Sequence, residues 1–259
     1  MRTADFCRLQ RVDGDLPPPV VAAPPAITPL DRVAALFEVL LCSGFPTQII
    51  VIVVLSAAGL RPRTADGDLS GPFVFALTLL DTLLIVSLVI FFFRAHGESV
   101  RAQLFAATDR RRDVLLGLAL IPASFVVVIM ILVVVQLVAP WLRNVPHNPL
   151  ADLARTRLQA AIFAFVVMVA GGVREEVQRG FVLRRFEQYL GGGALGLVLF
   201  SITFGLGHLE QGRDVALATG VLGAFWGAVF LTRRSILGPM IGHAGFNLTQ
   251  IAKFLLLGS

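Results

Sequence analysis

Residues 114–142 read VLLGLALIPASFVVVIMILVVVQLVAPWL, the most hydrophobic run in the chain. Crossing roughly 30 Å of hydrocarbon takes about 20 helical residues, so this run is long enough to span a bilayer with some tilt. Residues 73–93 form a second clean span whose one acid is Asp81. Residues 33–60 form a third, in which Pro46 and the polar pair Thr47-Gln48 predict a kink or an interfacial start.

The whole composition agrees with these segments. Of 259 residues, 56% are hydrophobic and 15% charged, and the mean hydropathy is +0.80. Soluble domains are about half apolar and a quarter charged, so a bilayer is indicated as the main solvent. Disorder, coiled coil and a disulfide scaffold are excluded by the same balance, and Cys7 and Cys42 are too few for a disulfide framework. The net charge of +5 is carried by arginine, since Lys253 is the only lysine. These charges fall in short bursts between apolar stretches rather than on one basic face, which speaks against a nucleic-acid partner and for a lipid bilayer.

The expected fold is all-α, a polytopic transmembrane bundle of seven or eight helices. Residues 1–32, broken by Pro17, Pro18, Pro19, Pro24, Pro25 and Pro29, read as a disordered extramembrane tail without the apolar core of a signal peptide. Residues 33–154 hold the amino-terminal membrane helices and residues 155–259 the chemistry-bearing ones. The count is seven if 236–257 is one span and eight if it breaks near Gly238-Pro239. Arginine counts in the short loops place the amino terminus in the cytoplasm, with the 143–157 loop fitting least well. The pairs Gly223/Gly227 and Gly238/Gly242 are GxxxG spacings and predict close helix packing.

From Leu158 onward, ionisable residues sit inside the apolar segments. A charge at the bilayer centre costs roughly 2.5–3.5 kcal/mol, so such residues usually face a bundle interior or a wet cavity. Glu175 and Glu176 are adjacent and point about 100° apart on a helix, so only one would face a given cavity. Glu175 lies four residues before Arg179 and Glu176 three before it, both within ion-pair reach. A carboxylate beside a guanidinium stays ionised, as a general base must; a solvated helix end is the plainer reading. His208 follows Phe204 by four residues at the end of an apolar run, where a packing histidine is equally expected. His243 and Asn247 share one helix face, offering either a base and an oxyanion donor or an interhelical hydrogen-bonding pair. Counting 1.5 Å per residue from Arg184, Gly193 and Arg234 puts Glu175 and His243 about 14 Å deep and His208 about 22 Å deep, so the four groups can meet in one cavity.

In this order the motifs resemble those of the CAAX protease and bacteriocin-processing family of intramembrane proteases, which includes the type II CAAX prenyl endopeptidases. Its signatures are a Glu-Glu pair followed by arginine, Phe-x-x-x-His, and His-x-x-x-Asn/Asp. Here they are Glu175-Glu176…Arg179, Phe204…His208 and His243…Asn247, within about 155–258. The family spacing is Glu-Glu-x-x-x-Arg-Gly, whereas only Val177 and Gln178 precede Arg179-Gly180 here. Anchoring on Arg179-Gly180-Phe181 puts Arg174 and Glu175 under the family's acids. Anchoring on the acids leaves the arginine one residue early, an offset that Gly171-Gly172 would let the backbone absorb.

The resemblance implies peptide hydrolysis near or within the membrane. Glu175 or Glu176, with His208, would activate a water, and His243 and Asn247 would stabilise the oxyanion, supported by Arg179 and Phe204. The family is commonly called metalloprotease, and Glu175, His208 and His243 form an acceptable ligand set for zinc; a metal-free glutamate mechanism fits equally. The implied partners are a peptide or membrane-protein substrate and the bilayer, and the implied location is a bacterial inner membrane. Two other classes remain open: an inactive membrane scaffold or bacteriocin-immunity protein, favoured by the shortened acidic motif, and a proton-path transporter, disfavoured by the lack of an inverted repeat.

Overall fold

A computed structural model describes residues 26–106, 109–146, 148–154 and 156–257. Most of the stretch read as a tail lies outside these residues, as does Cys7. The described chain is all helix, with isolated bridges at Arg63–Leu69 and Phe105–Ser235 and no strand among the described residues.

Helix α1, Pro29–Leu41, begins inside that tail stretch because Thr28 and Asp31 cap it reciprocally, with proline at the first helical position. The expected kink before Pro46 is a full break. Gly44 takes a φ of +90°, a region glycine enters without strain, and α2, Phe45–Ala57, leaves at 41° to α1. Helix α3 is Gly71–Ala95, α4 is the short Val100–Leu104, and α5, Arg110–Val138, carries the hydrophobic run quoted above. Helix α6, Arg157–Val167, passes through a π-helical segment, Met168–Glu175, into α7, Glu176–Tyr189. Helices α8, Gly193–Leu206, α9, Arg213–Arg233, and α10, Leu237–Leu257, complete the chain.

Among the described residues three helices, α3, α5 and α9, are long and apolar enough to cross a membrane, four spans if the bent α1–α2 pair is one. The expected seven or eight is not reached by this measure. The physical reason lies in the carboxy-terminal half, where α8 has only 14 residues and α7 is dominated by Gln178, Arg179, Arg184, Arg185 and Glu187. Gly238-Pro239 does not divide the last segment, because both lie in the first turn of α10, where proline costs the helix no hydrogen bond.

Helix α7 is the buried centre. Its Phe181 and Leu183 pack with Phe93, Leu104, Phe230 and Ile236 in the largest apolar cluster. Its buried cations are matched: Arg185 reaches Glu38 of α1 and Glu98, each at 2.7 Å. Conversely, α5 turns Ile129, Met130, Val133 and Val134 outward and exposed, as a lipid-facing surface requires. The glycine pairs behave as packing devices. A Cβ on Gly242 would lie 2.7 Å from the Leu120 Cβ of α5, and one on Gly223 would lie 2.9 Å from the Phe204 ring of α8.

Candidate active site

The π segment decides where the acids point. Gly171 and Gly172 are buried within it, and π turns frequently mark functional positions because they shift the phase of the helix that follows. The local adjustment expected at these glycines is therefore present, directly before Glu175-Glu176. Helix α10 crosses there at very short range: a Cβ on Gly171 would sit 2.5 Å from Asn247 Nδ2 and 3.1 Å from His243 Nε2.

Both acids reach one imidazole, contrary to the expectation that only one could face the site. His243 Nδ1 lies 2.8 Å from Glu176 Oε1, and His243 Nε2 lies 3.6 Å from Glu175 Oε2. Divergent Cβ directions do not prevent this, because two long carboxylate side chains approach the ring from its two nitrogen-bearing edges. Their surroundings differ. Glu176 is fully buried and also paired with Arg179, which is itself fully buried. Glu175 keeps 17% of its side chain exposed and lies 3.9 Å from Arg174 Nη1. Arg179 thus pairs with the acid three residues before it, not four. Arg174 turns away to Asp81 at 2.6 Å, so it does not occupy a place among the site acids.

Aromatic rings line this charged core. Trp226 of α9 stacks on His243 with centroids 4.0 Å apart and planes at 23°, and its indole N–H donates to Ser124 Oγ at 3.2 Å. The Arg179 guanidinium lies 5.0 Å from the Phe204 ring, 5.2 Å from Phe200 and 5.6 Å from Trp226. Desolvated cations gain from such faces, which helps to offset their removal from water. Glu176 Oε2 and the Nε and Nη2 groups of Arg179 are buried without a partner among the described residues, the kind of exception that concentrates at functional sites.

His208 is positioned less directly. It stands in the turn after α8 rather than on the helix, where its Nδ1 donates to the Phe204 carbonyl at 2.8 Å, leaving Nε2 with its lone pair. Phe204 is the shared neighbour of the two histidines, with ring centroids 5.0 Å from His208 and 6.3 Å from His243. The structure thus assembles Glu175, Glu176, Arg179, His243 and Asn247, and sets His208 across Phe204 from them. Among the described residues no three His, Cys, Asp or Glu side chains form a group able to hold a metal ion. Glu175 and His243 Nε2 come together but His208 is not grouped with them, so Glu175, His208 and His243 do not form a three-ligand zinc set in this geometry, and the chemistry below runs through the chain's own groups.

Sequence reasoning missed Trp226 and Ser124, whose segments carry no local pattern pointing to the site. It noted Asp81 as the lone acid of its span but not its tie to Arg174, although an acid in mid-span is itself a signal.

No curated protein and no solved structure matches the chain. Residues 157–249, which run from the start of α6 into α10 and contain every site residue from Glu175 to Asn247, match the family model described as type II CAAX prenyl endopeptidase Rce1-like, so the segment that holds the site is similar to that family.

Proposed function

We propose that this protein is an intramembrane endopeptidase that hydrolyses a peptide bond with a water activated by Glu175. The carrying observation is one imidazole between two unequal carboxylates: Glu176 buried at Nδ1, Glu175 partly open toward Nε2. Glu176, neutralised by Arg179, accepts the Nδ1 proton and leaves the Nε2 lone pair directed at Glu175. A water beside the Glu175–His243 Nε2 gap, hydrogen-bonded to both, is oriented by them. Its oxygen adds to the scissile carbonyl carbon while its proton passes to Glu175. The Asn247 amide, beside His243 across Gly171, donates to the oxyanion. Glu175 then returns the proton to the leaving amine as the C–N bond breaks. His208, expected to act on the water with a glutamate, is here the second imidazole of the site, set across Phe204 from His243. Apo hydrogen bonds at such sites are often longer than in the loaded enzyme.

The family match supports a peptide or protein substrate. The test uses purified protein in liposomes with two internally quenched probes, a farnesylated CAAX peptide and an unmodified apolar transmembrane peptide. Glu175→Gln, His243→Ala and Asn247→Ala are each expected to lose cleavage while inserting normally. Full activity in both His208→Ala and His243→Ala would sink the assignment. A wild-type protein inert toward both probes would instead support the scaffold reading.

A further inference from the structure

Outside the matched segment, one cluster of buried charge touches the site. Asp81 lies near the middle of the membrane-spanning α3 and is 3% exposed. Both of its oxygens are taken: Thr47, in the first turn of α2, donates to Oδ1, and Arg174 Nη2 donates to Oδ2 at 2.6 Å. The same guanidinium stands 3.9 Å from Glu175 through Nη1. One cation is therefore shared between two acids, bonded to Asp81 and withheld from Glu175. The broken α1–α2 corner makes room for it. A Cβ on Gly44 would lie 2.5 Å from Arg174 Nη2, and Gln178 Nε2, one turn further along α7, donates to the Cys42 carbonyl at 2.6 Å. Three amino-terminal helices thus close around the π segment at the residue that precedes the acid pair.

We infer that Asp81 is a positioning residue for hydrolysis: with Thr47 it anchors the Arg174 guanidinium away from Glu175, so that this carboxylate stays directed at His243 Nε2. An arginine buried among membrane helices does not remain without an anion, because water is not at hand to replace one. Once Asp81 loses its charge, the nearest carboxylate is Glu175, already within 4 Å. A short turn of the Arg174 head would bond it and draw it out of the gap facing His243. The inference rests on the hydrolase reading for its kinetic consequence but not for its geometric one.

The experiment compares wild type, Asp81→Asn, the double variant Asp81→Asn/Arg174→Gln and Glu175→Gln in the liposome cleavage assay, with an electron cryomicroscopy structure of Asp81→Asn. Asp81→Asn is expected to lower kcat roughly 10-fold or more with KM changed less than about 2-fold, because the defect is in orientation and not in substrate binding. The double variant, lacking the misplaced cation, recovers most of that loss. In the Asp81→Asn structure Arg174 is hydrogen-bonded to Glu175. A double variant as impaired as the single one overturns the inference, because a merely structural role of the Asp81–Arg174 pair predicts no rescue. Arg174 still standing clear of Glu175 in that structure overturns it as well, whatever the activity. If Glu175→Gln cleaves like wild type, or wild type cleaves neither probe, the hydrolase reading falls, and the position of Arg174 alone decides the geometric inference.

Discussion

Gly171→Ala adds one methyl group at the point where the π segment passes under α10. The added carbon would lie 2.5 Å from Asn247 Nδ2 and 3.1 Å from His243 Nε2, with both contacts on side chains of the proposed site. Ordinary contact begins near 3.4 Å, so relief demands about 1 Å of movement by the carboxamide or by α10 itself. Displacements of that size cost on the order of 100-fold in rate, or about 2.7 kcal/mol of transition-state stabilisation. Alanine is meanwhile the better helix former by about 1 kcal/mol, which works against any loss of fold. The expected outcome is a protein that inserts and unfolds near the wild-type temperature yet cleaves both probes about two orders of magnitude more slowly. Gly172→Ala is the control, since its carbon would meet the Ala244 Cβ at 2.8 Å, in packing rather than at the site. It should cost stability first. Wild-type kcat/KM for Gly171→Ala in an unchanged fold would refute the claim that Asn247 and His243 are the working groups.

Changes at two further positions probe the supports. Trp226→Phe keeps an aromatic face on His243 but abandons the Ser124 hydroxyl, and is expected to cost about 1 kcal/mol of stability with most cleavage retained; Trp226→Leu removes the stack and should also lower kcat, read in the same liposome assay. Gly242→Ile forces apart α10 and α5 where a Cβ already stands 2.7 Å from Leu120, and a loss of about 1–3 kcal/mol is expected from thermal unfolding in detergent.

How much of this was legible in the sequence varies along the chain. The span around residues 114–142 is decided by composition, and α5 follows it closely. The acid pair and the α10 histidine announce themselves because ionisable groups in apolar runs are expensive. What the sequence withholds is phase. A period of 3.6 residues separates Glu175 from Glu176 by about 100°, and only the π turn, with side-chain reach, brings both to His243. His208 shows the same limit: reading its apolar run as one helix places it deep, whereas α8 ends at Leu206 and the ring sits in the following turn. Trp226 is invisible for another reason. Stacking on an imidazole from a different helix is a tertiary contact with no local spacing to betray it. The expected span count is not reached because hydropathy does not fix helix length: α8 is apolar and exposes Leu195, Val198, Leu199 and Ile202, yet has only 14 residues.

The distribution of paired charge sets Glu175 apart from the other acids and supports it as the base in the proposed hydrolysis. Asp81 is bonded to Arg174, Asp113 to Arg233, Glu38 to Arg185 and Glu176 to Arg179, so each of these buried acids has a guanidinium within hydrogen-bonding distance. The first three pairs tie one helical segment to another and the last lies within α7; removing one partner of such a pair leaves an uncompensated charge that costs about 3–5 kcal/mol. Glu175 is the exception. Its nearest guanidinium stands 3.9 Å away and is already bonded to Asp81, while its other neighbour is an imidazole nitrogen at 3.6 Å. A carboxylate paired with arginine is a weaker proton acceptor because its charge is already stabilised, and Glu176 Oε1 is shared between Arg179 and His243. The loosely held Glu175 therefore has the freedom a general base needs, and the tightly held Glu176 has the fixity needed to orient His243. Assigning the two roles the other way round would ask the most firmly neutralised acid in the site to take a proton from water.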